Sequence, residues 1–315
     1  LTVAEFLSPA PREHSHPPWL GYRIGDALVV KRDRWLILLF LSPGLVVFLI
    51  TIVLPALLAI RFSLFTQETF FSTAKFVGAD NYVRLLRSAR FQNDLWRTTI
   101  YTLGSISCQL ILGIAIALVL HQSLVLRSFF RGANVLPYIV PTVVVAFTWK
   151  WMLLPQIGIV ETILRTFGSP GIQFFSPRMA LATVILISTW AWTPFVVLVF
   201  LAALQTVPDE LYESARIDRA NAVQQFMYIT LPMLKPVIAM IILLRGIWMF
   251  NKFDLIWLLT EGGPLEATET LPILIYLKTL RLFQIGEGTA LATLSLAIML
   301  AVATVYFRVL KLEEQ

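Results

Sequence analysis

The sequence predicts an all-α polytopic membrane protein, with six transmembrane helices and a helical segment standing outside the bilayer. Three observations carry that expectation. Of 315 residues, 57% are hydrophobic and only 14% charged, and the mean hydropathy is +0.77, outside the range of soluble globular domains. The apolar residues are also grouped into long runs, and about 20 consecutive apolar residues let a helix cross a hydrocarbon core of about 30 Å. The formal net charge of +6 raises nucleic acid as a partner. However, no basic run is longer than Lys31-Arg32-Asp33-Arg34 and no reading motif is present, so nucleic acid is excluded. A single cysteine, Cys108, rules out an internal disulfide and a cysteine metal cluster. His14 and His16 have no further ligands grouped with them, and no metal site is expected.

Residues 1–34 are polar and Pro-rich. They read as a cytoplasmic N-terminal segment rather than a cleaved signal. A six-span domain is expected over 35–309, followed by a cytoplasmic tail at 310–315. Trp35 to Ile60 forms the first span, with Pro43 and Pro55 inside it. Residues 61–97 carry mixed charge and aromatic residues and suggest a short folded external loop. The second span, Thr98 to Leu120, is rich in small residues such as Gly104, Ser105 and Gly113 that let helices approach closely.

Arg127 and Arg131 follow in a short loop. The third span, Ala133 to Leu154, is entered through Leu136-Pro137-Tyr138-Ile139-Val140-Pro141 and leaves through Trp149-Lys150-Trp151, an interfacial pattern in which the lysine snorkels. Pro155 to Arg178 reads as an external loop punctuated by glycine and proline. Met179 to Leu204 is the fourth span and Pro236 to Leu259 the fifth. Thr270 to Tyr276 is too short to cross and is expected as a surface helix, and Gly288 to Phe307 is the sixth span. Six spans place both termini on one side. The positive-inside rule barely distinguishes the sides, because the first external loop alone carries Arg61, Lys75, Arg84, Arg87, Arg90 and Arg97.

Between the fourth and fifth spans lies a polar segment, 205–232, built for helix, bend and helix. Thr206 is a candidate N-cap, Pro208 suits a first turn, and Asp209 with Glu210 favours the positive end of a helix. Asn221 offers a second N-cap, and Phe226, Ile229 and Met233 continue an apolar face. The segment resembles the coupling loop of ABC importer permeases. Its Glu-Ala-Ala place holds Glu213-Ser214-Ala215, its Asp-Gly-Ala place Asp218-Arg219-Ala220, and Phe226 and Ile229-Thr230-Leu231-Pro232 follow. The resemblance implies docking onto a separate ATPase subunit, with Glu213 and Asp218 as polar contacts and Phe226 as the apolar one. Arg219 departs from the family glycine, which takes a positive φ cheaply, so a differently built bend is expected.

The resemblance narrows at Phe250-Asn251-Lys252-Phe253-Asp254 through Thr260-Glu261-Gly262-Gly263-Pro264, with Thr268 and Thr270-Leu271-Pro272 beyond. With Arg131-Gly132 and the two third-span motifs, this is similar to the first permease subunit of carbohydrate-uptake importers, the maltose and glycerol-phosphate type. The likeness runs from about Phe76 to Tyr276. It implies a second homologous permease, two ATPase subunits, an extracytoplasmic solute-binding protein, and a bacterial inner-membrane location with both termini cytoplasmic. No cofactor is expected in this chain, and ATP and magnesium belong to the partner ATPase. A P-loop needs Gly-Lys-Ser/Thr, and none of the seven lysines follows a glycine.

Charges inside spans are costly and mark functional sites by default. Arg245, Trp248, Met249 and Lys252 recur at i, i+3, i+4 and i+7 and are expected on one helix face. Trp192 and Phe195 form an i, i+3 pair on the fourth span beside Pro194. These six match the sugar-contacting positions of the maltose-type permease. Aromatic planes suit a sugar's C–H face and donors suit its hydroxyls. Where that subunit is neutral, two positions here are cationic, which implies an acidic cargo of the alginate or uronate type. Two readings of the cations stand: carboxylate recognition on the cargo, or pairing with Asp254 or a partner's acids. A neutral oligosaccharide or glycerol phosphate is the alternative cargo. An ion-coupled transporter would need inverted repeats and a membrane enzyme a nucleophile or metal constellation, neither of which is found.

Overall fold

The computed structural model describes residues 34–66, 73–122, 125–168 and 171–313. Residues 1–33, including His14 and His16, lie outside the described residues. Among those described, regular structure is helical apart from one two-stranded hairpin. Helices satisfy their backbone groups internally, as the hydrocarbon interior requires. Two compact units are present, 1–57 and 58–315.

The first unit holds α1 (Arg34–Phe48), which passes into a wide π-turn at Leu49–Val53. The turn ends just ahead of Pro55, whose missing N–H could not have continued an α ladder. The apolar stretch Leu39–Ser63, which runs on into α2 (Leu54–Ser63), is long enough to cross a membrane.

The second unit opens on strands β1 (Phe65–Thr66) and β2 (Lys75–Phe76), paired antiparallel with Phe65 opposite Phe76. Helix α3 (Asp80–Arg87) follows. Its buried Asn81 donates to the carbonyls of Ser63 at 2.7 Å and Phe65 at 2.9 Å, pinning the hairpin. Helix α4 then runs unbroken for 33 residues, Ala89–His121. Residues 89–97, expected in the external loop, are therefore the first turns of the second span.

Helix α4 packs along α8 (Ala180–Leu204), and this pair forms the centre of the unit. They approach tightly at Gly113, where a Cβ would stand 2.5 Å from Val196 Cγ1. That contact supplies the reason for glycine in an otherwise apolar helix. One buried cluster, with Tyr101, Ile187, Met249 and Leu255, lies toward one end of the pair, and a second, with Ala117, Phe200, Leu204 and Leu234, toward the other.

The expected third span is not one straight helix. Helices α5 (Arg127–Ile139) and α6 (Thr142–Met152) meet at 94°. Pro141 is the cause: it cannot donate, and it drives Val140 into extended backbone at φ −65°, ψ 129°. Helix α7 (Ile159–Thr166) falls in the expected external loop.

The segment after α8 forms α9 (Asp209–Ile217) and α10 (Ala222–Gln225). Thr206 does not cap α9; its hydroxyl donates back to Ala203 O at 2.8 Å, and Pro208 occupies the cap position. Asn221 does cap α10, in a reciprocal box with Gln224 at 2.9 and 2.8 Å. From α10 the chain passes a second π-turn, Phe226–Thr230, directly ahead of Pro232, into α11 (Leu231–Phe250).

The helix that carries the fifth crossing thus runs continuously from Ala222 and stops at Phe250, earlier at both ends than expected. Helix α12 (Asp254–Thr260) is separate. Helix α13 (Leu271–Tyr276) is not a surface helix, since Leu271, Ile273 and Leu274 are fully buried. Helix α14 (Ile285–Glu313) closes the fold and packs on α3 and α13.

Candidate functional site

Arg245 is the largest fully buried side chain in the described protein, 1% exposed. It stands on α11 where that helix faces α4, and its Nε donates to Gln109 Oε1 at 2.9 Å while Nη2 approaches Met249 Sδ at 3.6 Å. The guanidinium carbon lies 5.5 Å from the ring of Trp248 and 5.8 Å from that of Phe195. Among the described residues no carboxylate pairs with it. A buried charge is costly without compensation, and here amide and aromatic faces supply it.

Lys252 is differently placed. Helix α11 ends at Phe250, so Lys252 lies in the turn beyond it, not on the helical face shared by Arg245, Trp248 and Met249. Its ammonium sits 2.8 Å from Asp254 Oδ1 and 3.9 Å from the centre of the Trp192 ring. The expected pairing with Asp254 therefore holds for Lys252 and not for Arg245.

A cavity of about 330 Å³ opens between these groups, lined by Trp192, Arg245, Trp248, Met249 and Lys252. Phe195 is not part of the lining; it backs the site, with its ring 5.4 Å from Trp248 and 6.2 Å from Tyr138. Five of the six expected residues thus line one cavity and the sixth supports it. Sequence reasoning missed Tyr138, Ile247 and Asn251, which complete the lining with Asp254, and Gln109, which holds Arg245. Asp254 was legible as the acid two residues from Lys252. Gln109 carried no local signal, because its partner is 136 residues away. Beside the cavity, Tyr101 and Ser188 share a buried hydrogen bond of 2.8 Å between α4 and α8.

The motif from Thr260 to Thr270 forms a clasp at one end of α4. Thr268 and Thr260 hydroxyls share a bond of 2.6 Å, and Thr268 also donates to Gly263 O at 2.9 Å. Gly262 takes φ +89° against Ile273, and Glu269 accepts two bonds from Arg90 at 2.6 and 2.8 Å. Burial pushes the Glu269 carboxyl up, and the Arg90 hydrogen bonds and charge outweigh it, leaving it below the usual carboxylate range. The N–H of Leu271 donates to Thr98 Oγ1 at 2.9 Å, fixing α13 to α4.

The segment between α8 and α11 has the opposite character. Glu213, Ser214, Asp218 and Arg219 are exposed, Ala215, Ala220 and Phe226 half-buried. Ile217, Val223 and Tyr228 are 83%, 69% and 80% exposed. These three present apolar surface beside Phe226, the expected apolar contact. The bend is built with Arg219 itself in the left-handed region, φ +58°, and Ala220 N–H bonded to Ala215 O at 2.9 Å. The chain keeps the turn geometry that the family glycine serves, at the steric cost of a side chain there.

Residues 109–312 match the family model of the binding-protein-dependent transport system inner membrane component. The chain belongs to this family of ABC permeases. Over 279 residues, 88% of this chain and 94% of the relative, the permease is 36% identical to the trehalose/maltose transport system permease MalF of Thermococcus litoralis. It is 31% identical to the sulfoquinovosyl glycerol transport system permease SmoG of Agrobacterium fabrum over 284 residues, 90% of this chain and 92% of that one. Among solved structures, a bacterial ABC transporter involved in import of the acidic polysaccharide alginate superposes with a TM-score of 0.75 at 26% identity, covering 89% of this permease and 97% of that chain. The permease is a sugar-importer transport subunit rather than an enzyme, is an inner membrane component, and belongs to a system served by a solute-binding protein.

Proposed function

We propose that this permease carries an acidic oligosaccharide, of the alginate or uronate type, as the first subunit of a heteromeric importer, with Arg245 as the group that selects a carboxylate. The observation that carries the reading is the buried Arg245 beside the cavity of about 330 Å³, with no acid paired to it among the described residues, whereas Lys252 is already paired with Asp254. A guanidinium offers planar donor pairs matched to a carboxylate. Trp192 and Trp248 supply faces for the apolar side of sugar rings. Lys252, Asp254 and Asn251 take hydroxyls at the cavity mouth.

The remaining roles follow from the family. A second permease would complete the cavity, and two ATPase subunits would bind ATP and magnesium and engage Glu213, Asp218 and the exposed apolar residues between α8 and α11. Closure of the ATPase pair would pass through that segment into α8 and α11, opening the cavity outward to receive sugar from the solute-binding protein, with both termini on the ATPase side. The test is ATPase stimulation of the reconstituted complex, with its binding protein, by matched neutral and uronic oligosaccharides. Stimulation by the uronic series alone is expected. Stimulation by neutral sugars alone would make Arg245 a structural cation held by Gln109.

A further inference from the structure

A second cavity, about 250 Å³, lies away from the sugar site, between the cavity-facing side of α5 and the last turns of α4 and α8. Arg131 and Asn134 line it from α5, and Gln205 from just beyond α8. Nε and Nη2 of Arg131 and Nδ2 of Asn134 are buried and have no hydrogen-bond partner among the described residues. Buried donors left unpaired are costly, the more so on a cation. No carboxylate lines the cavity.

The neighbouring arginine shows what satisfaction looks like here. Arg127, one turn earlier on α5, donates to Leu120 O at 2.9 Å and His121 O at 3.1 Å, closing the end of α4. Arg131 sits on the same helix face and has no such acceptor. The rest of the cavity is apolar: Leu120, Val197, Leu198 and Leu201. From Gln205 back to Val197 this wall runs about 12 Å along the helix at 1.5 Å per residue, away from the membrane boundary where α8 ends and toward the interior. Leu198 on it is 42% exposed.

Donors at the boundary and an apolar wall leading inward match one kind of molecule. We infer that this cavity holds an anionic phospholipid, its phosphate accepting from Arg131 and Asn134 and an acyl chain lying along Val197, Leu198 and Leu201. A free anion shares the phosphate chemistry but makes no use of the wall. The site lies where the chain leaves α8 for the 209–230 segment, so its occupant would brace α5 against α8 at the root of the coupling element.

Native mass spectrometry of the purified complex, titrated with phosphatidylglycerol or phosphatidylcholine, tests this. The complex should retain one phosphatidylglycerol that Arg131→Gln binds about tenfold more weakly. Asn134→Leu, which keeps the cation and does not depend on Arg131→Gln assembling, should weaken the same lipid by a smaller factor. Arg219→Gln, an exposed charge on the same side, should change nothing. Unchanged retention in both cavity variants would overturn the inference, as would equal loss in Arg219→Gln. Inorganic phosphate binding with no lipid retained would assign the donors to a free anion instead. Rescue of Arg131→Glu by an acid-to-arginine change in the partner permease would assign them to a protein carboxylate.

Discussion

The cavity beside Arg245 and the segment between α8 and α11 invert each other. In the cavity a charge is buried and held in place from within the chain, through Gln109 from α4 and rings from α8 and α11, without a carboxylate among the described residues to neutralise it. In the segment, Ile217, Val223 and Tyr228 face outward and none of α9 or α10 is buried. Charge inside and apolar side chains outside are each expensive alone. The first is compensated by this chain's own packing, while the second gains its value only when another surface covers it. A chain with both is built as a part.

Five changes would sharpen or break this contrast. The largest effect is expected at the exposed side. Ile217→Asp should weaken co-purification of the ATPase subunits by about 2 kcal/mol, roughly thirtyfold, as loss of an interface anchor does. Full retention would mean that another face makes the contact. Glu213→Lys should lower transport and sugar-stimulated ATPase activity together, with sugar binding to the solute-binding protein unchanged.

On the buried side, Arg245→Gln should reduce uptake of acidic oligosaccharides about tenfold or more, by removing a charge-assisted donor. Lys252→Gln should cost less, because Asp254 already holds the ammonium. Equal losses would erase the distinction between the paired and unpaired cation. The smallest effect is expected from Arg219→Gly. It relieves a left-handed side chain costing about 1 to 2 kcal/mol, partly offset by glycine's extra chain entropy. The thermal midpoint of the complex should rise slightly with transport unchanged.

Much of this architecture was legible because hydrophobic runs state where a membrane must be crossed. Asn221 announced its N-cap by residue type and place, though not the box it closes with Gln224, and the aromatic and charged positions of α8 and α11 announced the cavity by helical period. The misreadings have local physical causes. Hydropathy is blind to a bend, so Val140-Pro141 was read through as one apolar span. Lys252 was assigned to a helix face because period continues on paper past Phe250, where the helix has already stopped. Helix α13 was judged by its length, yet its burial depends on α4 and α14, far off in sequence. Gln109 and Asn134 belong to the same class, polar residues whose purpose is defined only by what the fold brings opposite.

The break at Pro141 gives the third crossing a joint. An unbroken rod such as α4 carries a push at one membrane face to the other undiminished. A crossing made of two arms at 94° can absorb it. Both arms rest on α8, Tyr138 against Phe195 and Trp149 against Trp190 at 5.5 Å. A shift of α8 would therefore reach the two arms together, and the joint would let each follow it along its own axis.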